Sequence, residues 1–440
     1  MPGDPRALLL QLYRTAVAAA HPDVCLQGQL PDVPNGGRLI VLGAGKAAAA
    51  MAVSAERHYR AQGVLDRVIG ILTAPYGYAG TLGDRAPKHL RIIEGRHPTP
   101  DLGSVTAAQA ALDLAATARP NDLVLVLLSG GASALWAAPA NGLDLAAKTA
   151  LTRGLLKSGA DIHEMNAVRR HLSKIKGGRL ALAAGGARLL TLAISDVPGD
   201  DPATIGSGPT VPDPTSLADA RAVIARRQDR MVALGLPLPD AIGQALADAG
   251  NETAKPGDAA FARSEYRIVA TPAKSLEAAC DTARAAGYEV MNLGDEVAGE
   301  ARDVAVAHAK LALAARSEGR RLAIISGGEL AVTVRNRAGR GGRSQEYALA
   351  LAIAIGGATG ISALAADTDG IDGGEGRVTD PAGALISEET VRNGANRHLA
   401  AQKFLDDNDA TAFFEALGDL VVVGPTHTNV NDFRAILVDG

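Results

Sequence analysis

Along the chain, runs of four to six apolar and often β-branched residues end abruptly in a Gly, Ser or Asp loop, and a helical stretch usually follows. The pattern appears at RLIVLGAGKA (38–47), RVIGILTAPYG (67–77), LVLVLLSGGASA (123–134), LLTLAISDVPGDD (189–201), YRIVATPAKS (266–275), LAIISGGELAV (322–332), ISALAADTDGIDGG (361–374) and LVVVGPTHTNVND (420–432). Near-continuous apolar strands alternating with helices predict sheets buried on both faces, with parallel pairing. At the amino terminus Leu8, Leu9, Leu12 and Ala16 fall on one helical face, while Gln11, Tyr13 and Arg14 interrupt the apolar stretch. This predicts an amphipathic surface helix, in preference to a signal peptide.

With 440 residues the chain has room for more than one core. The polar stretch DAGNETAKPGDAA (248–260) suggests a boundary between a larger amino-terminal α/β domain, residues 1–250, and a smaller carboxy-terminal one, 251–440. The expected class is therefore α/β, two-domain, with parallel or mixed sheets flanked by helices. Ligands of such sheets sit beyond the carboxyl ends of the strands, so the cleft between the domains is the expected site.

Composition narrows the partners. The formal charge is -4, with acidic and basic residues mixed along the chain, so neither nucleic acid nor an anionic membrane is expected. No apolar stretch reaches the ~18 residues of a bilayer span. Cys25 and Cys280 are the only cysteines, which favours a reducing, cytoplasmic setting and small-molecule partners. Aromatics make up 3%, so Ala, Leu, Val and Ile must build the cores.

Chemistry gathers at the strand ends. Gly43, Gly45 and Ala48 satisfy a loose dinucleotide fingerprint, but the next strand ends in Thr73, Ala74 and Pro75, without the acid that binds a ribose. Ile40 and Ala47 stand where a P-loop needs Gly and Ser or Thr. What remains is an anion site made by the glycine turn, Lys46 and a helix start. Two Ser-Gly-Gly turns, Ser129, Gly130 and Gly131 leading to Ser133, and Gly327 and Gly328 before Glu329, read as backbone cradles for phosphate or carboxylate. Asp196 closes a strand ahead of a loop carrying Ser207, Gly208 and Thr210, and suits Mg²⁺ or a hydroxyl proton. Asp367, Asp369, Asp372 and Glu375 crowd a glycine loop that suits Mg²⁺ or a nucleotide. Arg340 and Arg343, set among glycines, suit a mobile clamp for a carboxylate or a transferring phosphoryl group. The basic stretch NAVRRHLSKIKGGRLA (166–181) reads, alone, as a solvated helix face.

Eight blocks, GAGKAAAAMA, LLSGGASAL, NAVRRHLSKIKGGRLA, ISDVPGDDPATIGSGPTVPDPT, ISGGELAVTV, GRGGRSQEYALALA, ADTDGIDG and GPTHTNVND, resemble in order and wording the glycerate 2-kinases with a MOFRL carboxy-terminal domain. Some of that family carry the label hydroxypyruvate reductase. The resemblance runs from about residue 38 to about residue 435. It implies a Rossmann-like larger domain, a MOFRL-type smaller one, and transfer of phosphate from ATP to D-glycerate with Mg²⁺, giving 2-phosphoglycerate. It also implies that Lys46, Asp196 and Arg343 are catalytic, with Asp196 and Asp369 as metal candidates; the sequence does not fix the oligomeric state, and a homodimer is one candidate assembly. Many relatives read Asn where this chain has Ser344; a serine there is expected to keep the helix start capped. The alternatives are an NAD(P)H-dependent hydroxypyruvate reductase, a kinase of a related sugar acid, and a sugar-acid sensor without turnover.

Overall fold

The computed structural model describes residues 4–374 and 376–440, so Glu375 lies outside the described residues. The chain forms two compact units: Leu26–Val269, and a smaller one joining the amino-terminal segment up to Cys25 to Ala270–Gly440. This division differs from a cut at 250 in two places. The stretch 248–260 is built into the larger unit, where Asn251 Nδ2 donates to Ala245 O at 2.8 Å and Asp213 N to Ala254 O at 2.8 Å. The amino-terminal helix belongs to the smaller unit.

The larger unit holds β1 (Leu39–Ala44), β2 (Val68–Pro75), β3 (Arg91–Gly95), β4 (Leu123–Leu128), β5 (Arg188–Ile194) and β6 (Ser264–Ala270). They form one sheet in the order β3-β2-β1-β4-β5-β6, parallel from β3 through β5. Every residue of β1 and β4 is buried, which is why both read as unbroken apolar runs. The sheet's core is closed by small side chains, among them Ala108, Ala111 and Ala115 from the helix Leu102–Ala115. A separate apolar cluster joins the helices Leu145–Lys157, Ile162–His171, Leu217–Ala233 and Asp240–Ala247.

The smaller unit holds β7 (Glu289–Asn292), β8 (Gly299–Glu300), β9 (Leu322–Ser326), β10 (Leu330–Ala331), β11 (Ile361–Asp367), β12 (Gly383–Ile386), β13 (Leu420–Val421) and β14 (Asp432–Val438). Its main sheet runs β13-β12-β11-β14-β9-β7. Only β7 and β9 pair in parallel there; β14 lies antiparallel between β11 and β9. This sheet is mixed, within the expectation of parallel or mixed sheets; β12 follows β11 without an intervening helix, so it returns antiparallel. A further two-stranded pair joins β10 to β8.

Two helices anchor the polar groups of this unit. The first, Pro5–Ala19, starts on Asp4, whose carboxylate accepts from Arg6 N at 3.0 Å, and has Pro5 in its first turn. It buries Leu9, Leu12, Tyr13 and Ala16 against residues such as Leu276, Phe433 and Leu437. The phenol of Tyr13 donates to Asp367 O at 2.9 Å. The second, Arg343–Ile355, begins at Gly342, which brings no side chain to the cap. Its first amides are met by a distant carboxylate instead: Asp372 accepts from Ser344 N at 3.0 Å and Gln345 N at 2.8 Å. A Cβ on residue 342 would lie 2.3 Å from Asp372 O, so glycine is required for this approach. The expectation that Ser344 caps the helix is corrected: its Oγ is buried without a hydrogen-bond partner among the described residues, and Asp372 supplies the cap.

Leu12→Ala is expected to lower stability by about 2–5 kcal/mol through the cavity it leaves, whereas Leu102→Ala, 76% exposed in the native chain, should be nearly silent; chemical denaturation of both variants tests this. Burial pushes the Asp372 carboxyl up to about 7; the Ser344 and Gln345 amides oppose this, and Asp432 and Asp367 add to it. A carboxyl raised on folding contributes stability that is complete below its unfolded pKa and is lost as pH rises through its folded one. Asp372→Asn should therefore gain on the wild type between about pH 4 and 7; melting temperatures with a pH-independent difference would contradict the assignment.

Candidate active site

In a parallel sheet of this order, β1 and β4 flank the point where the chain reverses its direction of progress, the place where ligands of such sheets bind. Backbone hydrogen bonds join the two loops: Lys46 N donates to Gly130 O at 2.9 Å and Ser129 N to Ala44 O at 3.1 Å. Gly45 has φ +136°, and a Cβ there would sit 2.0 Å from Ser129 Oγ. Gly43 lies inside β1, where a Cβ would meet Leu127 O at 2.6 Å. The two glycines are thus accounted for by close packing of β1 on β4, with no need for a dinucleotide. Ser129, 1% exposed, accepts Ala47 N at 3.0 Å and so serves the start of the helix Ala48–Ala61. Lys46 is half-buried, and its Cγ lies 3.6 Å from where Gly131 would carry a Cβ, beside the ring of His97.

Asp196 follows β5 on the same edge of the sheet. Ser195, fully buried, folds back so that its Oγ accepts Val197 N at 3.2 Å, and the half-buried Asp196 stands between them at the mouth of the strand. The loop after it is interlocked with the turn 176–178 through Gly177 N to Ser207 O at 3.1 Å and Gly178 N to Gly208 O at 2.7 Å. Thr210 accepts Thr191 Oγ1 at 2.8 Å and is 2% exposed, an internal fastener of the loop.

Ser133 and Ser207 meet, with their Oγ atoms 2.9 Å apart. Ser207 donates onward to Asn166 Oδ1 at 3.3 Å. Lys176 Nζ donates to Ser133 O at 2.7 Å and Oγ at 3.0 Å, and Arg169 Nη2 donates to the same Oγ. The solvated-face reading of 166–181 is overturned here: Lys176 is 1% exposed, Arg170 5% and His171 0%. Arg170 pairs with Asp213 at 3.2 Å, and the His171 ring meets Glu252 at 2.9 Å; burial raises the Glu252 carboxyl, but Lys255, the Leu217 amide, His171 and the Thr253 amide outweigh it and hold it at about 2.

The smaller unit gathers a second polar centre. Register sets Asp367 of β11 directly across from Asp432 of β14, a like-charge pair that would repel. Arg343, first residue of its helix, lies between them: Nε donates to Asp432 Oδ1 at 2.7 Å, Nη2 to Asp367 Oδ2 at 2.9 Å and Nη1 to Glu329 Oε1 at 2.6 Å. Burial alone would lower its pKa, but Asp432, Asp367 and Glu329 raise it, so the guanidinium stays charged. Arg434 supports the cluster through Asp432 Oδ2 at 3.2 Å and Ser326 Oγ at 3.1 Å. The expectation of a mobile clamp is corrected accordingly, since three carboxylates fix Arg343. Arg340 does not join it; it pairs with Glu415 at 2.7 Å on the exposed surface.

Gly328 has φ +94°, and a Cβ there would fall 2.3 Å from Val297 O, while Gly327 O accepts Arg434 Nη2. The acidic loop is largely self-engaged. Asp367 Oδ1 accepts Asp369 N at 3.0 Å, Asp369 Oδ1 accepts Ile371 N at 2.7 Å, and Asp372 caps the helix. Among the described residues no group of three or more His, Cys, Asp or Glu is placed to hold a metal ion. Lys148, Asn166, Arg169, Lys176, Ser326, Asp432 and Arg434 were missed as site residues by sequence reasoning. For Asn166, Arg169 and Lys176 the signal was the excess of cations over acids in 166–181; Ser326 lies in the second Ser-Gly-Gly turn and Asp432 ends the block GPTHTNVND.

Residues 8–235 match the family model described as a domain of unknown function (DUF4147), and residues 322–432 match the MOFRL family. A putative hydroxypyruvate reductase of Agrobacterium vitis is 45% identical over 98% of this chain and 94% of its own. A D-glycerate 2-kinase of Thermotoga maritima is 33% identical over 98% of both chains. The crystal structure of a glycerate kinase from Thermotoga maritima superposes with a TM-score of 0.82 at 32% identity, covering 98% of this chain and 99% of that one. Among the described residues no helix is long and apolar enough to cross a membrane. The chain belongs to the glycerate 2-kinase family with a MOFRL domain, and is a kinase.

Proposed function

We propose that the enzyme transfers the γ-phosphoryl group of Mg-ATP to the 2-hydroxyl of D-glycerate, giving 2-phospho-D-glycerate and ADP. The observation that carries this reading is Lys46 in the glycine turn at the carboxyl end of β1, joined to the loop after β4, with no acid at the end of β2. Thr73 there accepts Trp136 Nε1 at 3.2 Å and is fully buried, so its hydroxyl is already engaged. The relatives named D-glycerate 2-kinase and glycerate 2-kinase support the same reading.

In this scheme the 2-hydroxyl oxygen of glycerate bonds to the γ-phosphorus as the bond to the β–γ bridging oxygen breaks. Lys46 stabilises charge on the transferred group, which is the main demand of phosphoryl transfer. Arg343 serves the substrate carboxylate or the γ-phosphoryl. Glu329, with its side chain 58% exposed, is the partner it can exchange at least cost, whereas Asp432 is fully buried. Asp196 takes the acceptor proton or ligates Mg²⁺, which enters with the nucleotide and needs one or two carboxylates besides phosphate oxygens. A half-buried strand-end carboxylate fits that requirement; Asp369, buried and bonded to Ile371 N, fits it less well. Bound Mg²⁺ would neutralise charge on the phosphates. A second reading, NAD(P)H-dependent reduction of hydroxypyruvate, has the dinucleotide-type strand order and the names of two Agrobacterium vitis relatives in its favour.

Incubation with Mg-ATP and D-glycerate, followed by phosphorus NMR of the product, should give 2-phosphoglycerate; oxidation of NADH by hydroxypyruvate without ATP turnover would favour the reductase. Lys46→Ala should reduce kcat by about 10²- to 10³-fold, as loss of one preorganised donor does, with little change in melting temperature. Arg343→Lys should lose both turnover and stability, because one ammonium cannot replace a fork that engages three carboxylates; steady-state kinetics and thermal unfolding of the same variant check the two halves.

A further inference from the structure

Burying positive charge without a counter-ion is costly, so proteins pair such groups or leave them for a ligand. In the larger unit Arg170 and His171 have carboxylate partners, whereas the neighbouring cations Arg169, Lys176 and Lys148 have none among the described residues. Lys176 and Lys148 are 1% and 6% exposed, and Lys148 Nζ meets only the carbonyl of Leu172, at 3.2 Å. Burial, reinforced by mutual repulsion with Arg169, lowers the pKa of both lysines, that of Lys148 to about 7. Arg169 and Lys176 converge on a single neutral oxygen, Ser133 Oγ, whose own proton is directed at Ser207, since Ser207 donates to Asn166. Ser133 and Arg169 are half-buried, so the cluster is open on that side.

We propose that Arg169 and Lys176, with Lys148 behind them, form an oxyanion subsite centred on Ser133 that binds a carboxylate or phosphoryl group of the reactants. An entering oxyanion accepts from Arg169 and Lys176 in place of the serine hydroxyl, and its negative charge favours the protonated form of both lysines. Arg343 cannot meet this need as readily, because three carboxylates already occupy it. Assigning the ligand to the reactants rests on the kinase reading; the existence of an anion site does not.

The test uses the full chain and the variants R169Q and K176M. Loss of a charged hydrogen bond predicts roughly 10- to 100-fold weaker binding. If the subsite holds the acid, KM and Kd for D-glycerate rise by that factor while KM for ATP and kcat stay within a few-fold; if it holds a phosphoryl group, the ATP and inorganic phosphate constants move instead. Calorimetry with D-glycerate, ATP and inorganic phosphate needs no turnover, so a wild type that binds but does not phosphorylate glycerate would sink the kinase reading alone. S133D guards against a folding artefact: its carboxylate should raise the melting temperature of the ligand-free protein and abolish the binding that R169Q weakens. Unchanged constants for all three probes in R169Q and K176M, or an S133D protein that melts lower and binds normally, would overturn the subsite.

Discussion

The ends of β1 and β4 can lie side by side only because residue 45 has no side chain. A Cβ there would fall 2.0 Å from Ser129 Oγ, the atom that accepts the Ala47 amide just ahead of the helix. One contact therefore fixes three things: the spacing of two central strands, the start of the helix Ala48–Ala61, and the position from which Lys46 emerges. Larger side chains at 43 or 45 would push the strands apart and carry the lysine with them. The glycine pattern that looks like a cofactor fingerprint is, at this level, a packing requirement.

The two units treat positive charge in opposite ways. In the smaller one, Arg343 and Arg434 are tied to carboxylates, and Arg343 reconciles two aspartates that strand register forces to face each other. In the larger one, three cations near Ser133 lack any carboxylate partner among the described residues, although Asp213 and Glu252 pair with the adjoining Arg170 and His171. Charge balance was thus within reach of the same helix, and its absence at Arg169 and Lys176 is selective. Such an imbalance destabilises the ligand-free protein, which is the usual cost of a site built for an anion.

Much of the larger unit was legible in the sequence, because parallel strands buried on both faces leave long apolar runs and the glycine loops mark their ends. The smaller unit was harder to read. β14, Asp432–Val438, has charged residues at its first and third positions, Asp432 and Arg434, both buried and paired, so its polar positions hid a core strand. The run 420–423 looked like a strand, yet only Leu420 and Val421 pair, and Val422 is 61% exposed. The basic helix was misread for a related reason. A run of Arg, His and Lys is usually solvated, and nothing local to 166–181 reveals that the distant residues Asp213, Glu252 and Ser133 enclose it. Lys46 and Asp196 stood out as candidates because strand-end position and residue type coincide there, and Arg343 because it sits among glycines.

Strand order does not choose between hydride and phosphoryl transfer, since the order β3-β2-β1-β4-β5-β6 is that of dinucleotide-binding sheets. The choice falls to the loops. A dinucleotide site needs backbone room after β1 and an acid after β2; here Ser129 fills the first place and Thr73, bound to Trp136, stands at the second. What the same edge of the sheet offers instead is an ammonium group after β1, hydroxyls and cations after β4, and a carboxylate after β5. That inventory answers the charge that develops when a phosphoryl group passes from one oxygen to another.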